Sequence, residues 1–141
     1  MKNPLFAAID ANDEDALRDE LDRRPELAGE RNEAGRSPVL QALFAGHEDL
    51  VDPILDANPP LDVFDAAAVG RTRGLEELLD ADPELVRATS PDGFTALHLA
   101  ARFDDCGAVE LLLERGADPA ARDADGRTPA ELAGDDAREL F

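Results

Sequence analysis

Thr95-Ala96-Leu97-His98-Leu99-Ala100-Ala101, with Ala108-Val109-Glu110-Leu111-Leu112-Leu113-Glu114-Arg115-Gly116 and Asp125-Gly126-Arg127-Thr128-Pro129 behind it, is the stretch that decides the fold. Thr95 is a favourable helix cap, and the residues after it read as a short helix. Ala100 and Ala101 are small enough to let a neighbouring helix come close. A break at Asp104-Asp105-Cys106-Gly107 precedes a second helix over 108–114 with an apolar face. Gly116 stands where a helix C-terminus needs positive φ, and 117–123 reads as extended. Ala124-Asp125-Gly126 then makes a tight turn into Thr128-Pro129, where the pattern starts again.

Working outward, the same pattern recurs along the chain. Shifted by 58 residues, Leu17 falls on Leu75, Leu21 on Leu79, Pro25-Glu26-Leu27 on Pro83-Glu84-Leu85, Val51 on Val109 and Leu55 on Leu113. Segments opening at Asn3, Ser37, Leu61, Thr95 and Thr128 subdivide that unit at spacings of 34, 24, 34 and 33. A period near 33 predicts stacked helix pairs joined by turns.

These residues resemble the ankyrin repeat. Thr95–Ala101, Leu111-Leu112-Leu113-Glu114-Arg115-Gly116-Ala117-Asp118 and Asp125–Pro129 are similar to the family's T-P-L-H-x-A-A, L-L-x-x-G-A-D and D-G-x-T-P elements. The resemblance covers nearly the whole chain. It implies an all-α solenoid of helix-turn-helix repeats with short extended finger turns, in one domain of about four repeats and a cap. The expected boundaries are 3–36, 37–60, 61–94 and 95–127, with the cap at 128–141. The second repeat departs from the pattern: Asn58-Pro59-Pro60 runs straight into the next helix, so its finger is missing. Pro53 removes an N–H from that repeat's second helix and is expected to bend or shorten it.

Charge limits the function classes. Thirty-three Asp and Glu oppose fourteen Lys and Arg, a formal net charge of -19. Such a chain repels phosphate backbones and anionic lipid surfaces, so neither nucleic acid nor membrane is an expected partner. No apolar run approaches the about 18–20 residues of a membrane span. A single cysteine, Cys106, and the lack of a signal-peptide pattern fit a cytoplasmic monomer. The acids are spread over every segment, arginine is kept and Lys2 is the lone lysine, a pattern suited to molar salt, where the Debye length is only ~3 Å. An acidic face that captures a basic partner, or mimics nucleic acid, is a second reading, and ordinary solubility in an alanine-, arginine- and aspartate-rich proteome is a third.

Candidate chemistry is sparse. No catalytic residue, cofactor site or metal site is expected. His47 and His98 are the two histidines, and Ser37 and Ser90 the two serines. Nothing resembles a nucleophile elbow, a phosphate loop or a dinucleotide fingerprint. Asp104 and Asp105 should raise the Cys106 thiol's pKa, which argues against an activated nucleophile. The resemblance implies a structural, locally hydrogen-bonded His98, with Phe6 and Phe64 in the same slot of their own repeats.

Partners of ankyrin stacks bind the concave side, made of finger tips and the exposed ends of first helices. Carried over by position, that face is expected to hold Arg36, Phe44, Asp92, Phe94, Arg102, Phe103, Asp125 and Arg127, and to bind a protein. Aromatic and arginine side chains dominate interface hot spots, which singles out Phe94, Arg102 and Phe103. Phe94 either belongs to this face or packs as core over the missing finger.

Overall fold

Short capped helices account for most of the computed structural model, which describes residues 3–141. Among the described residues there is no strand, only an isolated bridge between Thr89 and Thr95. The chain forms two compact units, 1–61 and 62–141.

In the first unit, α1 (Pro4–Asp10) pairs with α2 (Glu14–Arg23), and α3 (Pro38–Phe44) with α4 (Val51–Asp56). Asn3 caps α1 by accepting the Leu5 N–H at 2.9 Å, and its amide donates to the Leu27 carbonyl at 2.8 Å. Ser37 caps α3 through the Leu40 N–H at 3.2 Å. A proline follows each cap, at the helix position where its missing N–H costs nothing. Leu5, Ile9, Leu17, Leu50 and Ile54 are fully buried at 0% exposure. Each contributes about 1.5–3 kcal/mol by leaving water. The Pro25-Glu26-Leu27 insert becomes a 3₁₀ turn, Pro25–Gly29, that buries Leu27.

Pro53 acts as its chemistry requires. Having no N–H to offer the Asp49 carbonyl, it leaves the second helix of that repeat as a 3₁₀ turn, Glu48–Leu50, followed by the six-residue α4. Beyond Asp56 the chain runs through Ala57, Asn58, Pro59 and Pro60 without a finger, and the unit ends there.

The second unit holds α5 (Val63–Val69), α6 (Thr72–Ala81), α7 (Ala96–Arg102), α8 (Cys106–Glu114), α9 (Pro129–Leu132) and α10 (Asp135–Arg138). Ala66, Ala67, Ala100 and Ala101 are at most 1% exposed, so α5 and α7 pack at the close range small side chains permit. Leu75, Leu79, Val109 and Leu112 complete this core from α6 and α8.

Three expectations are corrected in this unit. The third repeat's first helix is capped by Asp62, not Leu61, because Leu61 has no acceptor to offer. Asp62 accepts the Asp65 N–H at 2.8 Å and donates its own N–H to the Asp65 carboxylate at 3.4 Å, a reciprocal capping box. Asp65, only 1% exposed, therefore fills the slot assigned to Phe64, and Phe64 lies one residue earlier, half-buried. The second helix of the fourth repeat starts at Cys106 rather than 108. Asp104 (φ 58) closes the turn in one left-handed residue and the Asp105 N–H bonds the Ala100 carbonyl at 2.9 Å, so Cys106 and Gly107 join the helix.

The C-terminal helices dock on that turn. The Gly134 N–H donates to the Ala101 carbonyl at 3.1 Å. Gly134 precedes α10 and has no side chain to cap it; Asp104 supplies the cap instead, accepting the Ala137 N–H at 2.7 Å. A Cβ on Gly134 would lie 2.7 Å from the Asp104 carboxyl carbon. Gly134→Ala is accordingly expected to cost roughly 1–3 kcal/mol in urea unfolding, by overpacking. Asp104→Gly, which keeps the left-handed backbone and deletes the cap, should cost about 1 kcal/mol. A neutral Gly134→Ala would contradict this docking.

Candidate functional site

Three fingers share one construction. Asn32, Ser90 and Asp123 each open a turn in which their N–H donates to the carbonyl four residues on, that of Arg36, Phe94 or Arg127, at 2.8–2.9 Å. The side chain of that first residue then bonds back into the turn. Asn32 Oδ1 accepts from Ala34 and Arg36, Ser90 Oγ from Phe94, and Asp123 Oδ1 from Asp125 and Arg127. Gly35, Gly93 and Gly126 take the positive-φ position, at 80, 88 and 80°. The finger of the fourth repeat is braced most heavily. Burial alone would raise the Asp123 carboxyl, but the Arg127 and Asp125 amides and the Arg127 guanidinium hold it below its ordinary value.

His98 joins finger to helix. Its Nδ1 accepts the Thr95 N–H at 3.2 Å, so Nε2 carries the proton that it donates to the Arg127 carbonyl at 2.9 Å. With 0% exposure it is a structural residue, bridging 29 positions of sequence.

The expected binding residues fall into small groups. In the first unit the Arg36 guanidinium carbon lies 4.3 Å from the centre of the Phe44 ring, within cation–π range. Arg36 Nη1 also donates to Gln41 at 3.2 Å, and Gln41 to Asp10 at 2.9 Å, a chain of contacts that the sequence did not reveal. In the second unit Arg102 lies over Phe103 at 5.7 Å, while Phe94, half-buried, sets its ring 6.2 Å from the His98 ring. Asp92 sits in the same finger as Phe94. Arg127 pairs with Asp123 and Asp125, both at 3.1 Å, so this arginine and Asp125 stiffen their own finger.

Phe6 does not behave as a buried counterpart of His98. It is half-buried and lines an open groove of about 750 Å³ between α1 and the first finger, with Asn3, Pro4, Ala7, Asp10 and residues 31–34. The residues drawn inward at this slot, His98 and Asp65, each accept the N–H of the cap residue, and a phenyl ring has no hydrogen bond to make there.

Asp105 and Cys106, next to Asp104 in the turn between α7 and α8, both have their pKa raised. Asp105 precedes α8 but does not cap it; its carboxylate lies over Gly70, where a Cβ would sit 2.8 Å from Oδ1. Oδ2 is buried without a hydrogen-bond partner. Burial, and then the Asp104 charge, push this carboxyl up to about 7. Desolvation and the Asp104, Asp136 and Glu110 charges push the Cys106 thiol up as well, away from a reactive thiolate. Among the described residues no group of three or more His, Cys, Asp or Glu is placed to hold a metal ion, and no helix is long and apolar enough to cross a membrane.

Comparison with known proteins agrees with this architecture. The family described as ankyrin repeats (many copies) matches residues 78–133. Human NF-kappa-B inhibitor zeta is 31% identical over 126 residues, which is 75% of this chain and 17% of that protein. Alpha-latroinsectotoxin-Lt1a of Latrodectus tredecimguttatus is 28% identical over 83% of this chain and 9% of its own length. An E3 ubiquitin-protein ligase of Oryza sativa subsp. japonica is 41% identical over 51% of this chain and 16% of its own length. The chain thus spans less than a fifth of each of these relatives.

The Asp105 carboxyl gives a pH test with a definite sign. Raised from 3.8 to about 7, it binds its proton more tightly in the folded state. Its contribution is therefore fully present below about pH 4 and is lost as pH rises through 7. Asp105→Asn should be more stable than the parent at pH 8, by roughly 2 kcal/mol once solvent screening of this partly exposed carboxyl is allowed for, and the advantage should vanish towards pH 4. Urea unfolding of both proteins from pH 4.5 to 8 measures it; a constant difference would mean that Asp105 does not titrate in this range.

Proposed function

The chain is an ankyrin-repeat protein, a family whose repeats generally mediate protein–protein interaction, and we propose that it is a non-catalytic, monomeric module that binds a protein partner through its fingers and first-helix ends. The observation that carries this reading is the combination of internally braced fingers with half-buried aromatic rings beside arginines. A surface held by its own hydrogen bonds loses little freedom on binding. Amphipathic pairs such as Arg102–Phe103 and Arg36–Phe44 offer apolar area and charge in one place. Phe94, Arg102 and Phe103 are the residues assigned the largest part in affinity. Asp92 belongs with them in the second unit, where Asp125 and Arg127 supply a stiff finger, and Arg36 and Phe44 are the first unit's share of the proposed binding residues. The human relative's name, an inhibitor of NF-kappa-B, supports binding of protein as the mode. The toxin and ligase activities of other relatives belong to proteins several times longer than this chain.

The excess of acid is assigned to the solvent. A net charge of -19 spread over all repeats destabilises the fold in dilute buffer and is screened in molar salt. The competing reading is an acidic inhibitor that occupies a basic protein's nucleic-acid site, which the same charge favours.

Affinity capture in molar KCl separates these. A partner retained there and lost by at least about tenfold on Phe94→Ala/Phe103→Ala supports the aromatic-centred face. A partner that binds the double variant equally well contradicts it, and binding that collapses between 0.1 and 1 M KCl points to the acidic inhibitor. The thermal midpoint should also rise by several degrees from dilute buffer to molar KCl, and a flat response would contradict adaptation to salt.

A further inference from the structure

The groove of the first unit lies outside the residues just assigned, and its lining has a chemistry of its own. Pro4, Phe6, Ala7 and Ala34 supply apolar surface, with Ala7 and Ala34 exposed. Two exposed carboxylates, Asp10 and Glu33, stand among them. Asp10 is held in place, since its Oδ1 accepts from Gln41 at 2.9 Å. The cation in the lining, Arg31, is turned back on its own finger, with Nη1 donating to the Gly35 carbonyl at 3.1 Å. The finger wall is rigid, because Asn32 bonds both Ala34 and Arg36. At about 750 Å³ the groove has room for several side chains of an extended segment but not for a folded element.

From this lining we infer that the groove takes a cationic peptide segment of the partner, with an apolar side chain seated against Phe6 and Ala7 and a nearby Lys or Arg paired with Asp10 and Glu33. The inference rests on the reading of the chain as a protein-binding module and names the class of segment it selects. The chain's net charge of -19 draws such a segment in, and the apolar seat keeps it when salt screens the longer-range attraction.

Selection from a random dodecapeptide phage library on the full chain, at 0.15 M KCl, tests this. Enriched peptides should carry Lys or Arg within three positions of a Leu, Ile, Met or aromatic residue. Their synthetic forms should bind Ala7→Lys/Ala34→Lys at least about tenfold more weakly, the added lysines filling the groove and repelling the base. Asp10→Asn/Glu33→Gln should weaken them about three- to tenfold. Circular dichroism confirms that these surface variants fold. Enrichment of acidic peptides, no enrichment, or peptides indifferent to both variants would overturn the inference. Peptides that ignore the groove variants but are lost on Phe94→Ala/Phe103→Ala would overturn it while leaving the proposed face standing.

Discussion

The first helices of the four repeats, α1, α3, α5 and α7, are seven residues long, and such a helix does not persist in water by itself. The rest of the structure depends on how that shortfall is met. Each of these helices begins on a side-chain cap that satisfies an orphan N–H, and each buries a stripe of small or branched residues against its neighbours. The caps at 3, 37, 62, 95 and 128 are 34, 25, 33 and 33 residues apart, so the repeat of the sequence is a repeat of caps. Where cap and finger coincide, one polar network serves both. Thr95 and His98 cap α7, and His98 then holds the next finger by its Arg127 carbonyl.

The same economy explains the irregular places. Gly134 cannot cap α10, so Asp104 reaches across from the α7–α8 turn and does so. That leaves Asp105 beside a charge already engaged, over Gly70, with one oxygen unpaired. The acid that titrates near neutrality owes this first to its burial over Gly70 and then to the charge of Asp104, the residue that caps α10. Among the described residues, the Asp105 Oδ2 is the one buried side-chain oxygen without a hydrogen-bond partner.

Much of this was legible in the residues. Thr95, His98, the Ala100-Ala101 pair and Gly116 fixed the fourth repeat, and Pro53 correctly marked the broken helix of the second. The sequence misplaced the third repeat's start by one residue because the 58-residue shift carries Asn3 onto Leu61, whereas capping needs an acceptor, which Asp62 supplies. Asp62-Val63-Phe64-Asp65, with carboxylates three apart, was the signal for the capping box. By position Phe6 reads as a structural substitute for histidine, and position alone does not report exposure. The Asp10–Gln41–Arg36 contacts and the lone Asp105 oxygen join residues far apart in sequence or depend on side-chain direction, and periodicity carries neither.

The central claim is that binding uses the fingers and the ends of the first helices. Hydrogen–deuterium exchange of the chain with and without its captured partner tests that claim most directly. Protection confined to residues 32–36, 44, 90–94, 102–103 and 123–127, with the first unit's groove included or not, is the predicted result. Protection concentrated on the second helices, α2, α6 and α8, would contradict it.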